Sequence, residues 1–184
     1  MADHLSPTLL IASPQLHDPF FERTVVLVFH HDPEDGAIGV VVNRALEHRL
    51  PEVLALEEPI DLSRHQDTPV VWGGPVETDS GTVLTRGGLS DAAEGWLLPG
   101  GLGVTRSHDA LLRLLQGEAP MMLCLGYAGW ASGQLDREIE QGGWLFTDLD
   151  AGIVFDTPIE ERYDRALASL GLTSSMVWMQ PIHE

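Results

Sequence analysis

Lysine is absent from this 184-residue chain, and asparagine and cysteine occur once each, as Asn43 and Cys124. Each scarcity removes chemistry. Without lysine there is no P-loop lysine, no kinase-type strand lysine and no Schiff-base amine for pyridoxal phosphate. A single cysteine forms neither an internal disulfide nor a multi-cysteine zinc or iron–sulfur centre, and a lone thiol fits a reducing compartment. Long apolar runs are missing too. The least polar stretch, Met121 to Ala131, is interrupted by Gly126 and Gly129 and falls short of the ~20 residues a membrane helix needs. The N-terminal Met1-Ala2-Asp3-His4-Leu5 has no basic region and no apolar run, so no signal peptide is expected. The expectation is a soluble cytoplasmic protein with no membrane partner.

Positive charge is also scarce. Ten arginines face 28 Asp and Glu, a net charge of −18. Residues 1–92 carry a net −10 and residues 93–184 a net −8, so the acidity is spread through the chain and is not a detachable tail. Phosphate binding depends on clustered Lys and Arg; here no cluster exists, which argues against direct contact with nucleic acid. Dispersed carboxylates without lysine point to a host-level cause, a salt-rich cytoplasm in a GC-rich organism, because salt screens the mutual repulsion of surface carboxylates.

What is present reads as one domain spanning residues 1–184. A chain of this size buries roughly 70% of its unfolded surface and needs no metal or disulfide staple. Apolar, β-branched runs predict strands at Leu9–Ala12, Thr24–His30, Ile38–Val42, Val70–Trp72, Thr82–Thr85, Trp96–Leu98, Met121–Leu125, Trp144–Thr147 and Ile153–Phe155. Asp32 to Gly36 has turn chemistry and joins two of them as a hairpin. Pro99 to Gly103 reads as a Gly-rich turn. Helices are predicted at Pro51–Leu56, from an N-capping Ser107 to a C-terminal Gly117, over Ala131–Gln141 before Gly142-Gly143, and from a Thr157/Glu160 capping box to Gly171. In that last helix Ile159, Tyr163, Ala166, Leu167 and Leu170 mark the buried face. The tail after Thr173 has no clear pattern. Strands cluster early and helices late, which predicts α+β with a mixed sheet and not repeated βαβ units.

Most chemical motifs fail on inspection. Gly101-Leu102-Gly103-Val104-Thr105-Arg106 lacks the third glycine and the βαβ context of a dinucleotide loop. In Gly129-Trp130-Ala131-Ser132-Gly133 the serine is one position off the frame of a nucleophile elbow. His30 and His31 are adjacent in a strand and point to opposite faces, so they do not converge on one metal ion. Trp130, Trp144 and Trp178 read as core or groove aromatics, since no positive groove accompanies them. No metal and no cofactor are predicted.

Four segments carry a resemblance. They are Ser13-Pro14 through Asp18-Pro19-Phe20-Phe21-Glu22-Arg23; Gly36-Ala37-Ile38-Gly39-Val40-Val41-Val42-Asn43-Arg44; Gly73-Gly74-Pro75-Val76 with Asp79, Gly81 and Leu84; and Gly126-Tyr127-Ala128-Gly129-Trp130 through Gly133-Gln134-Leu135 with Glu138 and Trp144. In this order, over about residues 5–172, the chain resembles the AlgH/YqgE family of bacterial proteins. The resemblance implies a single α+β domain, a strand-rich and partly barrel-like sheet flanked by helices, in a cytosolic protein with no established reaction. Some members carry a transcriptional-regulator label. The chain departs from the family at Thr85, where a histidine is usual, at Ala131-Ser132, where the family has Gly-Pro, and at Gln180–Glu184, which lacks the usual Gly-rich ending.

The motif residues suggest a site. Arg44 offers a bidentate fork for carboxylate or phosphate, and Asn43 precedes it at a strand end. Gly73, Gly74 and Pro75 follow another strand and let a ligand approach the backbone. Gln134 sits near a helix N-terminus, and His31 lies in the same hairpin as Asn43. The expectation is that His31, Asn43, Arg44, Gly73, Gly74, Pro75 and Gln134 line a polar cleft for a small anionic ligand or a protein partner, in a binding module without chemistry. Two alternatives are a hydrolase or transferase using His31 with Asp79 or Glu138 as acidic partner, and a regulator acting indirectly through a protein partner.

Overall fold

The computed structural model describes residues 7–178; the readings of the N-terminal pentapeptide and of Gln180–Glu184 lie outside them. Nine strands are present: β1 (Thr8–Ala12), β2 (Val25–Asp32), β3 (Gly36–Val41), β4 (Val70–Trp72), β5 (Val76–Arg86), β6 (Gly95–Leu97), β7 (Leu102–Thr105), β8 (Met121–Trp130) and β9 (Trp144–Asp148). Six helices accompany them: α1 (Leu50–Val53), α2 (His108–Gln116), α3 (Gln134–Glu140), α4 (Ala151–Phe155), α5 (Arg162–Ala168) and α6 (Ser174–Trp178). The strand order is β6-β7-β5-β8-β3-β2-β1-β9, with β4 also paired to β8. The β4–β8 pair is parallel and every other pair antiparallel, so the sheet is mixed, as expected.

The sheet curls around one core and presents its outer face to two more. Leu9, Ile11, Val25, Leu27, Val40, Val42, Leu84, Met122 and Cys124 face inward, where α4 and α5 insert Ile153, Val154, Tyr163 and Leu167. The alternate residues of the first half, Leu10, Val26, Val28, Val41, Ala128 and Trp130, pack outward against Leu135 of α3 and Phe21 of the preceding loop. Outward residues of the second half, Val70, Val83, Met121 and Leu123, pack against Leu50 of α1 and Leu114 and Leu115 of α2. Both faces are covered, which is why these strands read as continuous apolar runs. Each fully buried aliphatic side chain contributes ~1.5–3 kcal/mol.

One residue lets β8 serve both halves. Met122 and Cys124 point into the first core, but beyond Gly126 the even-numbered Ala128 and Trp130 point into the second. Gly126 adopts φ +79, and such a break in a strand inverts which residues face which side.

Several expectations are corrected. Ile153–Phe155 is helical in α4: Asp150 accepts from the Gly152 N–H at 2.8 Å, and Thr157 Oγ1 donates to the Gly152 carbonyl at 2.8 Å. Local capping and the burial of Ile153 and Val154 override the strand propensity of β-branched residues. Thr157 is therefore occupied and forms no capping box; a 3-10 turn, Ile159–Glu161, precedes α5. Leu170 is exposed, and the unanticipated buried group of α5 is Arg162. Within the predicted Gly-rich turn Pro99–Gly101 does form a 3-10 turn, but Leu102 and Gly103 already open β7, where the Leu89 side chain packs against Gly103. The helix after β8 starts three residues late, at Gln134, because β8 runs on to Trp130. The α2 reading holds, with Ser107 accepting from the Ala110 N–H at 3.2 Å. Among the described residues no helix is long and apolar enough to cross a membrane.

Candidate functional site

The four motifs meet, but their polar groups bond to the chain itself. Asn43 Oδ1 accepts from the Val25 N–H at 2.8 Å and its Nδ2 donates to the Arg23 carbonyl at 2.9 Å. The Arg44 fork donates to the Phe20 carbonyl at 2.5 Å and the Glu22 carbonyl at 2.7 Å, with its carbon 5.2 Å from the Trp72 ring centre. Desolvation lowers the Arg44 pKa, and nearby Glu22 partly offsets it. Gln134 accepts from the Ala131 N–H at 3.0 Å and donates to Glu138 at 2.9 Å. Glu138 also receives the indole N–H of Trp130 at 3.0 Å and of Trp144 at 2.9 Å. Phe20, Phe21, Trp72, Trp130 and Trp144 form one contiguous aromatic group beneath these bonds.

Gly73 and Gly74 mark a crossing of two chain segments. The Gly73 N–H donates to the Leu125 carbonyl at 2.7 Å, and its own carbonyl accepts from the Val41 N–H at 2.8 Å. A Cβ on Gly74, at φ +153, would lie 2.1 Å from the Tyr127 carbonyl carbon. Pro75 beside them is exposed. His31 stands apart from this crossing. A bulge between Val28 and His30 brings it opposite Ala37, on the second core's side, where Nε2 lies 3.4 Å from Asp136 Oδ1 with the ring only 3% exposed. Its carboxylate neighbour is thus Asp136, while Glu138 is committed to the two indoles.

A separate cleft of about 260 Å³ opens on the third core. Its origin is an irregular step in the sheet. Val76 pairs with Tyr127 and Gly81 with Leu125, so residues 77–80 of β5 stand opposite Gly126 alone. Glu77 takes a left-handed φ of +48 within this wide bulge. Bulges of this kind re-aim side chains, and here Asp79 becomes part of the cleft lining together with Thr105, Arg106, Ser107 and His108. The floor is apolar: Val53, Leu54, Val83, Leu111, Leu123 and Leu125.

The rim is held in place by short contacts. Arg106 donates to Ser80 Oγ at 2.8 Å, and its guanidinium carbon lies 5.2 Å from the Tyr127 ring centre. Hydrogen bonding to the Glu77 carboxylate raises the Tyr127 pKa. His108 Nε2 lies 3.6 Å from Glu58 Oε1. Sequence reasoning did not single out Arg106 or His108 for binding; the signals that lead to them are Asp79 and Gly81 of the third motif and Tyr127 of the fourth.

The profile of the AlgH-like family matches residues 9–175. The chain belongs to the AlgH-like family. A UPF0301 protein of Paraburkholderia phymatum is 42% identical over 180 residues, covering 95% of this chain and 92% of the relative. A UPF0301 protein of Ralstonia nicotianae is 38% identical over 177 residues with the same coverage. The solution structure of the AlgH protein from Pseudomonas aeruginosa superposes with a TM-score of 0.77 at 37% identity, over 100% of this chain and 98% of that one. A crystal structure from Corynebacterium diphtheriae, at 22% identity and TM-score 0.70 over 92% and 89% of the two chains, shares the fold.

The departures from the AlgH-like pattern have structural roles here. Thr85 is fully buried and its hydroxyl donates to the Pro120 carbonyl at 2.9 Å. Ser132 Oγ donates to the Pro33 carbonyl at 2.5 Å, tying the end of β8 to the β2–β3 turn.

Proposed function

We propose that this AlgH-like chain is a non-catalytic, cytoplasmic binding module, and that its ligand occupies the cleft between the 77–80 bulge and α2. The carrying observation is the bulge itself. Four residues of β5 stand opposite one of β8, one of them in a left-handed conformation, and the cleft that Asp79 among them lines has both polar and apolar walls. Small-ligand sites have this composition, with few polar groups fixing orientation and apolar surface supplying affinity. On this reading His31, Asn43, Arg44, Gly73, Gly74, Pro75 and Gln134 form the frame that fixes β4, β8 and the bulge relative to one another.

A hydrolase or transferase built on His31 draws support from the Asp136 contact, but that nearly covered ring is not part of the cleft lining. Holding a ligand therefore accounts for the cleft better than chemistry does. A regulatory role would run through the occupant and not through DNA, given the net charge of −18.

The test is a fragment screen of the 15N-labelled chain by NMR. Compounds that bind should shift the amides of Thr105, Leu111, Leu123 and Leu125. Arg106→Ala should weaken them several-fold without lowering the thermal midpoint. A diverse panel that leaves these amides unmoved would sink the proposal.

A further inference from the structure

We infer that the cleft takes a free apolar α-amino acid, with the ligand carboxylate at Arg106, its ammonium at Asp79 and its side chain on the Val83–Leu111–Leu123–Leu125 floor. This rests on the binding reading above and names the ligand class for that site.

Three features of the cleft select such a molecule. The first is charge. Arg106 and Asp79 line the same small cleft, yet among the described residues neither forms an ion pair with the other or with any other group. The other basic side chain of the rim, His108, is turned toward Glu58 at 3.6 Å. Arg106 uses one N–H on Ser80 and lies over the Tyr127 ring, which leaves further donors of its five for a planar carboxylate. Two opposite charges that share a cleft without neutralising each other match a ligand that carries both signs a few bonds apart.

The second feature is the floor. Six aliphatic side chains line it, so a ligand with only a charged head would leave apolar surface in water, while one with a branched alkyl or aromatic side chain would cover it. At ~0.8 kcal/mol per buried CH₂, the floor should separate leucine from alanine by roughly tenfold or more. The third is size. A volume of about 260 Å³ lies below the ~300–1,000 Å³ of sites for drug-sized ligands, which favours a single amino acid over a peptide segment.

The two charges play separable roles, and the experiment separates them. The full chain is titrated, by NMR and calorimetry, with L-leucine, L-alanine, N-acetyl-L-leucine, which lacks the ammonium, and L-leucinamide, which lacks the carboxylate. Wild type should bind leucine most tightly, with each blocked analogue weaker by about fivefold, the scale of an exposed charge pair. Asp79→Asn should weaken leucine to the level of N-acetyl-leucine, and Arg106→Gln to the level of leucinamide. Both side chains are exposed, so the thermal midpoints should stay near wild type.

Blocked analogues that bind as well as leucine, or leucine shifts confined to the separate cleft at Arg64, Thr68 and Glu118, would overturn the inference. If leucine leaves the cleft amides unmoved while other fragments shift them, the amino-acid assignment fails and the binding module stands. If no compound moves them, both fail.

Discussion

A Cβ on Gly126 would lie 2.3 Å from the carbonyl oxygen of Gly74. The two glycines press together where the segment after β4 crosses β8, at the point where β8 changes the face to which its side chains belong. Gly126 also holds φ +79, a region that costs an L-residue with a side chain ~1–2 kcal/mol before any clash. Gly126→Ala should therefore destabilise the chain by about 3 kcal/mol or more, since strain and overlap with backbone act together. Gly87 provides the control. Its φ is +79 as well, but a Cβ there meets nothing within 4 Å, so Gly87→Ala should cost only the conformational part. Urea unfolding of the two variants reads the difference; equal losses would show that the crossing is looser than described.

Arg44 is the residue in which the sequence reading and the fold differ most in emphasis. A bidentate fork at a strand end suggests an anion site, yet here it donates to the carbonyls of Phe20 and Glu22 and holds the loop carrying Phe20 and Phe21 over Trp72. Hydrogen bonds from a charged group are worth ~1.5–3 kcal/mol. Arg44→Lys keeps the charge but loses the fork, and should lose about 1–2 kcal/mol of stability with ligand binding in the cleft unchanged. A variant that keeps its unfolding midpoint but loses a ligand would return Arg44 to the binding surface.

The aromatic group makes a third prediction. In Glu138→Gln, the new amide can accept from Trp130 and Trp144 only by turning its NH₂ toward the NH₂ of Gln134, which now donates to Glu138. Flipping Gln134 relieves that but leaves the Ala131 N–H facing a donor. One bond in the network is lost either way, at about 1–2 kcal/mol. The tryptophan emission of the folded variant should shift, and the double variant Glu138→Gln with Gln134→Glu should recover part of the loss.

The strands were largely legible because most are buried on both faces: Leu9–Ala12, Val25–Phe29 and Val70–Val71 are unbroken apolar runs. What escaped reading lies mostly in tertiary contacts with no local signature, the locally capped turn of α4 excepted. Gly101 and Gly103 look like turn residues, but Gly103 sits in β7 to accommodate Leu89. Ile153-Val154 looks extended, but Asp150 and Thr157 clamp it into a helical turn. The motifs marked a place where segments converge. Whether Arg44 faced ligand or chain was not readable, because its acceptors are backbone carbonyls, which every residue carries. The bulge was equally hidden, since a three-residue excess in β5 depends on its pairing with β8.

Cys124 and Arg162 bring an opposed pair of titrations into the first core. Burial pushes the Cys124 thiol up to about 12, nearby Arg162 acting slightly the other way. Burial also brings the Arg162 guanidinium down to about 10, with Cys124 and Glu160 acting against it. The Arg162 side chain donates to the Thr157 carbonyl at 3.0 Å and the Val42 carbonyl at 2.6 Å. Above pH 9 the unfolded thiol ionises while the folded one stays protonated, so unfolding releases a proton and stability falls as pH rises. From about pH 10 the arginine opposes this, because its folded form gives up its proton first. Between pH 9 and 10 the cysteine leads and Tyr127 and Tyr163, whose pKa values are also raised, add to the fall, so stability should drop with pH, the cysteine's own share staying below about 1.4 kcal/mol per pH unit. Cys124→Ala should make the fall shallower, and the native thiol should resist alkylation until the chain unfolds. A slope indifferent to Cys124→Ala would place the titrating group elsewhere.

Salt supplies the last test, because the charge imbalance has no internal remedy in the fold. Arg86 pairs with Asp156 and Arg113 with Glu94 in two-point contact, but the arginines are outnumbered 28 to ten by acidic residues. Several cations are also spent on backbone: Arg44 on Phe20 and Glu22, Arg64 on Gln116, Arg162 on Val42 and Thr157. Most carboxylates therefore have no arginine to neutralise them. Their repulsion reaches ~10 Å at 0.1 M salt and only ~3 Å at 1 M, and the compact state suffers from it more than the expanded one. The thermal midpoint should accordingly rise by several degrees between dilute buffer and 1 M KCl. Replacing exposed acids that form no ion pair among the described residues, Glu57→Gln or Asp148→Asn, should reduce the rise, whereas Glu94→Gln, which breaks the Arg113 pair, should not. A midpoint that stays level or falls in KCl would mean that the surface acids are already neutralised within the fold, and the link to a salt-rich host would go with it.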